Sequence, residues 1–166
     1  MLIFRRWVYQ FIWLVAVCAS GSAAIAKDTV AVRVEPQINA SNEVMLRIEL
    51  KNVSAVPLLI FRDELPWNLS SAMLFFVTDL GGAPLAQIYP LIQINWEDVI
   101  TLNPGASLHG TRILDYGIPS LAKDRKRRDL IVLWTYKPSG MAPAISKIDR
   151  VSGHFELNAE VGKTKK

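Results

Sequence analysis

Apolar and polar residues alternate along much of this chain with a period of two. From Thr29 to Glu35 the sequence sets Val30, Val32 and Val34 against Ala31, Arg33 and Glu35. Glu43 to Lys51 keeps the rule over a longer span, with Val44, Leu46, Ile48 and Leu50 on one side and Met45, Arg47, Glu49 and Lys51 on the other. A β-strand turns successive side chains to opposite faces, so both runs predict half-buried strands. The same reasoning predicts strands over Pro57–Phe61, Met73–Thr78, Leu85–Tyr89, Asp98–Leu102, Ala106–Leu114, Asp129–Tyr136 and Gly153–Ala159. In Asp129–Tyr136 the residues Leu130, Val132, Trp134 and Tyr136 share one face, and the last strand contributes Phe155 and Leu157.

Turn chemistry separates these runs. Asp79-Leu80-Gly81-Gly82 closes one strand, and Asn103-Pro104-Gly105 lies between two others, where proline presets one dihedral and glycine tolerates positive φ. No window of about a dozen residues keeps the 3.6-residue period of an amphipathic helix. The pattern predicts an all-β chain: an immunoglobulin-like antiparallel β-sandwich of about eight or nine strands, with a partly closed barrel as the alternative. The least regular stretches are expected at Leu65–Ser71, Pro119–Arg128, Pro138–Lys147 and Gly162–Lys166.

The amino terminus follows another logic. Arg5 and Arg6 precede an uncharged, mostly apolar run from Trp7 to Ala19, and Ser20 to Ala26 is built of small residues, with Ala24 and Ala26 spaced for a signal peptidase. This is the layout of a secretory signal peptide over 1–26, followed by a single domain over 27–166 in the periplasm or outside a bacterial cell. Trp7 to Ala26 is also about long enough to span a bilayer as a retained anchor, although its Ser/Gly/Ala-rich last third favours cleavage. A lipidation box at Cys18 is a further alternative, and Val17 fits it poorly.

Setting the leader aside changes the charge. The chain has 19 basic and 15 acidic residues, and two of the arginines belong to the leader, so the remainder is only about +2. Cys18 is the only cysteine, so no disulfide can form within the chain.

Several phrases then follow a familiar order: Leu50-Lys51-Asn52-Val53-Ser54-Ala55-Val56-Pro57-Leu58, Leu65-Pro66-Trp67, Phe76-Val77-Thr78-Asp79 with Gly82-Ala83-Pro84-Leu85, Tyr89-Pro90-Leu91, and Leu102-Asn103-Pro104-Gly105-Ala106-Ser107-Leu108. Over roughly Val44 to Tyr136 the chain resembles the immunoglobulin-like β-sandwich accessory module found next to the catalytic domain of bacterial deuterolysin-type (aspzincin) metalloproteases. It contains no His-Glu-x-x-His. The resemblance therefore implies a sandwich fold and a non-catalytic accessory role, and carries over no active-site residue.

The residues themselves point the same way. His109 and His154 each stand alone on a predicted strand, without the three or four convergent ligands that a zinc site uses. Ser107 and His109 share a strand face near Asp115, but no Gly-x-Ser-x-Gly elbow is present. The acidic pairs Asp63-Glu64 and Glu97-Asp98 are expected as solvated loop charge, because sequence neighbours on a strand diverge rather than face one another across a cleft. Calcium-loop spacing and a Gly-rich phosphate loop are missing, so neither cofactor nor metal is expected. Asn39, Asn52 and Asn68 each begin an Asn-x-Ser sequon, expected to stay unmodified in a bacterial host.

What remains are candidate contact residues for a protein partner. The densest charge is Lys123-Asp124-Arg125-Lys126-Arg127-Arg128. With no aromatic interleaved, it reads as a solvated loop or a surface for an acidic partner, not as a nucleic-acid site. Trp67 and Trp96 fall in turn-like contexts, where an aromatic either contacts a partner or caps the end of a sandwich. The expectation is an exported, non-catalytic protein that binds another envelope or secreted protein through Trp67, Trp96, Lys123, Arg125, Lys126, Arg127 and Arg128. The alternative is a periplasmic inhibitor or immunity protein that blocks a hydrolase or toxin. An enzyme of unrecognised type would depend on His109 or His154.

Overall fold

The computed structural model describes residues 29–88, 95, 97–139 and 145–159. They form eight strands: β1 (Val30–Ile38), β2 (Val44–Asn52), β3 (Leu58–Phe61), β4 (Met73–Asp79), β5 (Val99–Leu102), β6 (Ser107–Ile113), β7 (Leu130–Tyr136) and β8 (Val151–Leu157). Three antiparallel sheets result, in the orders β1-β2-β6, β3-β5 and β4-β7-β8. The chain is all-β and sandwich-like, as the period-two pattern predicts.

The alternation sets which faces are buried. In β2 the buried apolar residues are Val44, Leu46, Ile48 and Leu50, and in β7 they are Leu130, Val132, Trp134 and Tyr136. These eight join Leu58 and Ile60 of β3, Met73, Phe75 and Val77 of β4, and Leu102 of β5 in a single core cluster. Each fully buried aliphatic side chain contributes about 1.5–3 kcal/mol relative to exposure. Two glycines make room for tryptophan within this core. A Cβ at Gly110 of β6 would run into the Trp67 indole, and one at Gly153 of β8 would run into the Trp134 ring that lies across it.

Polar closures fix the ends of the sheets. Asn52 is fully buried, and its Nδ2 donates to the carbonyls of Val56 and Leu102, both at 2.8 Å. Its Oδ1 accepts from the Ser54 amide at 2.9 Å and the Ser54 hydroxyl at 2.7 Å. The Lys-Asn-Val-Ser phrase is therefore a turn that ties β2 to the end of β5, and the Asn52 sequon is inaccessible in the folded chain. The Asn103-Pro104-Gly105 turn closes as expected, with Gly105 at φ 74° and the Ala106 amide on the Asn103 carbonyl at 3.0 Å.

Three expectations are corrected. Leu85–Tyr89 is not a strand over its described part: Pro84 removes a donor, and the chain there meets β4 in an isolated Thr78–Pro84 bridge, closed by the Asp79 amide on the Ala83 carbonyl and the Leu85 amide on the Val77 carbonyl. Within Pro119–Arg128, Leu121–Arg125 forms a short helix, α1. Five residues are too few to show a helical period, but Leu121 and Arg125, one turn apart, are both buried. The third concerns Glu64: its side chain is buried rather than solvated. The leader 1–26 lies outside the described residues. Among those described, no helix is long and apolar enough to cross a membrane.

Asn52→Ala strands two buried carbonyls and releases the Ser54 turn, and is expected to lower unfolding free energy by about 2–4 kcal/mol in urea denaturation. Gly110→Val overpacks the Trp67 contact and is expected to cost about 1–3 kcal/mol or more by the same assay, while Gly82→Ala, with open space around it, is limited to backbone strain.

Candidate functional site

The basic run does not behave as one surface. Arg125 is 2% exposed. Its Nη2 donates to the Asn42 carbonyl at 3.1 Å and to Asn42 Oδ1 at 2.8 Å, locking the β1–β2 turn. Asn42 sits there at φ 64°, a left-handed conformation that asparagine tolerates better than most residues. Arg128 pairs with Asp79, at the end of β4, and with Asp124 at 3.0 Å. Arg125 is thus corrected from a candidate partner contact to a buried tie between α1 and the β1–β2 turn. The freely exposed cations of the run are Lys123, Lys126 and Arg127.

The tryptophan candidates divide as well. Trp67 is partly buried, packs against the core and lies over Gly110 in the middle of β6. Trp96 lies outside the described residues. Of the remaining candidates, Lys123, Lys126 and Arg127 stay exposed on α1 and the turn that follows it.

Electrostatics around Arg128 follow from geometry. Asp79 Oδ1 accepts the Ala83 amide at 2.9 Å, and this bond, with the Arg128 guanidinium behind it, holds the carboxyl below the usual carboxylate range. Asp124 is lowered in the same way by a hydrogen bond from Ser120 and then by Arg128. A second charged region covers the outer face of β1-β2-β6. There Arg33, Glu49 and His109 stand in register across the three strands, next to Glu35, Arg47 and Thr111. Ser107 donates to Glu49 at 2.7 Å, which lowers the Glu49 carboxyl. The serine is bonded to Glu49, and Asp115, the acid expected near Ser107 and His109, accepts the Val44 amide instead.

Sequence reasoning missed two other features. Glu64 Oε1 accepts the Ser139 amide at 2.8 Å. Beside it, burial and then the Glu64 carboxylate push the Tyr136 phenol well above its ordinary value. A pattern that reads Asp63-Glu64 as loop charge has no means of seeing this. The second feature is the outer face of β4-β7-β8, where Leu74, Phe76 and Leu133 are 39%, 45% and 44% exposed. Phe76, Leu133 and His154 lie opposite one another across the three strands, and Leu74, Thr135 and Ser152 form the neighbouring row. A shallow apolar groove runs between these rows. Among the described residues, no group of three or more His, Cys, Asp or Glu side chains is placed to hold a metal.

Arg125→Ala is expected to cost about 1.5–3 kcal/mol in urea denaturation, whereas replacing Lys123, Lys126 and Arg127 together with alanine is expected to stay within about 0.5 kcal/mol. The lowered Asp79 and Asp124 carboxyls contribute stability that is complete above the unfolded value of about 3.9 and is lost as pH falls through their folded values. Asp79→Asn is expected to lower the urea midpoint by a constant amount above about pH 5, with the gap to the parent protein closing below about pH 4.

No family model matches the chain. No curated protein matches it either. Among solved structures, a crystal structure of a protein from Archaeoglobus fulgidus is similar at TM-score 0.38 and 11% identity, over 79% of this chain and 97% of the other, a likeness that carries no argument about fold or activity.

Proposed function

We propose that this is an exported, non-catalytic β-sandwich that binds another protein of the cell envelope or exterior through the outer face of β4-β7-β8. The observation that carries the reading is the contrast between the two outer faces. One is a lattice of charges on β1-β2-β6, the ordinary solvated side of an antiparallel sheet. The other exposes Leu74, Phe76 and Leu133 as neighbours, and contiguous apolar surface of this kind marks interaction sites. The strands β4, β7 and β8 contain neither lysine nor arginine, while Glu156 adds negative charge at the rim, so the face is unsuited to anionic lipid. Its occupant is a protein surface with an apolar centre. The basic residues Lys123, Lys126 and Arg127 lie outside this face and add a second contact for acidic groups on the same partner.

The leader supports export, and the resemblance to the protease accessory module supports a role without catalysis. A photo-reactive amino acid at Phe76 in the living host is expected to give one dominant protein adduct that Leu133→Lys abolishes, with no such adduct from the same probe at Arg47 on the charged face. Equal labelling from both positions, or an adduct indifferent to Leu133→Lys, overturns the reading. A hydrolase or toxin as the adduct would assign the inhibitor form of the same function.

A further inference from the structure

Most sheet edges in this fold are guarded. An open edge presents unpaired backbone groups to other chains, and proteins blunt it with proline, inward charges, short strands or covering segments. The β1 edge carries Pro36 with Arg33 and Glu35. On the β6 edge Arg112 points inward, with its guanidinium 5.1 Å from the Phe75 ring centroid and bonded to the Asn68 carbonyl at 3.1 Å. The β4 edge is covered by 83–85, through the Asp79 amide on the Ala83 carbonyl and the Leu85 amide on the Val77 carbonyl. Ser146 covers β3 at Leu59, and β5 is only four residues long. The exception is β8: seven residues with no proline, lysine or arginine, hydrogen-bonded only to β7 among the described residues, with β1 of the facing sheet approaching it but not bonding to it.

The register identifies which β8 groups are available. The Lys137 amide bonds the Ala72 carbonyl, so in β7 the odd-numbered residues turn their backbone groups toward β4 and the even-numbered ones toward β8. Trp134 and Val132 therefore bond Gly153 and Phe155, their partners in β8. It follows that Ser152, His154 and Glu156 direct their N–H and C=O groups to the open edge, and among the described residues no hydrogen bond is made there.

We propose that this edge pairs with β8 of a second copy of the chain, antiparallel and centred on Phe155. In that register His154 lies opposite Glu156 of the second copy, and the dyad repeats the contact, giving two imidazole–carboxylate pairs on the outer face. On the inner side Phe155 meets Phe155 of the second copy, and the small Gly153 lies opposite Leu157 of the second copy. Neighbouring registers are worse: centring on His154 sets like imidazoles opposite each other, and centring on Gly153 places Leu157 against Asp149 of the second copy. The result is a continuous six-stranded sheet, β4-β7-β8 joined to its symmetry mate, with both apolar strips on one face. A strand pair buries less than the roughly 1,200–2,000 Å² of a standard interface, so the dimer is weak, with dissociation in the micromolar range.

The pairing rests on the β8 edge and not on the apolar strip, so it stands or falls separately from the proposed function. The test is sedimentation of the protein, isolated as its host processes it, between roughly 1 and 200 µM. The expected result is a monomer–dimer equilibrium in which Glu156→Lys weakens association at least about tenfold. The double variant His154→Glu/Glu156→Lys is expected to restore it to within about threefold, and Phe76→Lys to leave it unchanged. Unchanged thermal melting of each variant monomer establishes that the fold is intact, since His154 and Glu156 are exposed. A monomer at every concentration, or association indifferent to Glu156→Lys, overturns the proposal. Loss with Glu156→Lys that the double variant fails to restore overturns the His154–Glu156 register.

Discussion

The burial of one face of β2 and one face of β7 in a common core is the constraint on which the remaining structure depends. Val44, Leu46, Ile48 and Leu50 come from the middle strand of one sheet, and Leu130, Val132, Trp134 and Tyr136 from the middle strand of another. Central strands are paired on both edges, so their side chains are held in place by neighbours on either hand. The chain has a single cysteine, and no intrachain disulfide can take over if this packing fails. Slipping β2 by one residue would exchange its apolar set for Met45, Arg47, Glu49 and Lys51. Register and core are therefore the same fact seen twice.

Polar side chains hold the sheets to one another where apolar packing thins. Arg112 reaches inward from β6, rests on Phe75 of β4 and bonds carbonyls at Asn68 and Met73. Asn52 joins the end of β2 to the end of β5. Asp115 accepts the Val44 amide at 2.7 Å and anchors the start of β2. Arg125 and Arg128 do the same work around α1, one on the β1–β2 turn and one on Asp79. Arg112, Asn52, Asp115 and Arg125 each satisfy a backbone group, whereas Arg128 bridges two carboxylates, and a satisfied polar group fixes position as well as stability.

This division explains what the sequence reveals. Alternation is a local property of a strand, so β2 and β7 are legible almost to the residue, as is the Pro-Gly turn before β6. The identity of the third sheet is not legible, because the pairing of β3 with β5 depends on residues about 40 apart in sequence. Charge is the least legible property of all. Lys123 and Arg125 belong to one basic run, but helical spacing turns Arg125 under the fold and leaves Lys123 outside. Glu64 follows Asp63 in what reads as a loop, and a 3-10 turn buries it beneath Ser139. Trp67 looks like an exposed loop aromatic until Gly110, with no side chain of its own, provides the place where the indole lies.

The candidate surface escaped sequence reading for a related reason. Phe76 and Leu133 are far apart in sequence and ordinary in composition, and only the β4–β7 register makes them neighbours. A strand with apolar residues on both faces reads as a fully buried one, and β4 has Leu74 and Phe76 on one face with Met73, Phe75 and Val77 on the other. In a parallel sheet, helices would cover both sides. Here the described helix has five residues and leaves that face bare. A sheet whose outer side is apolar, and whose outermost strand has no second hydrogen-bonded neighbour among the described residues, has two unsatisfied demands, one on its face and one on its edge. They differ in kind: the face calls for apolar area, which any well-shaped protein surface supplies, whereas the edge calls for backbone donors and acceptors in register, which only an extended strand supplies. A second copy meets the edge demand while bringing its own bare face alongside the first, so edge pairing enlarges the apolar surface instead of covering it.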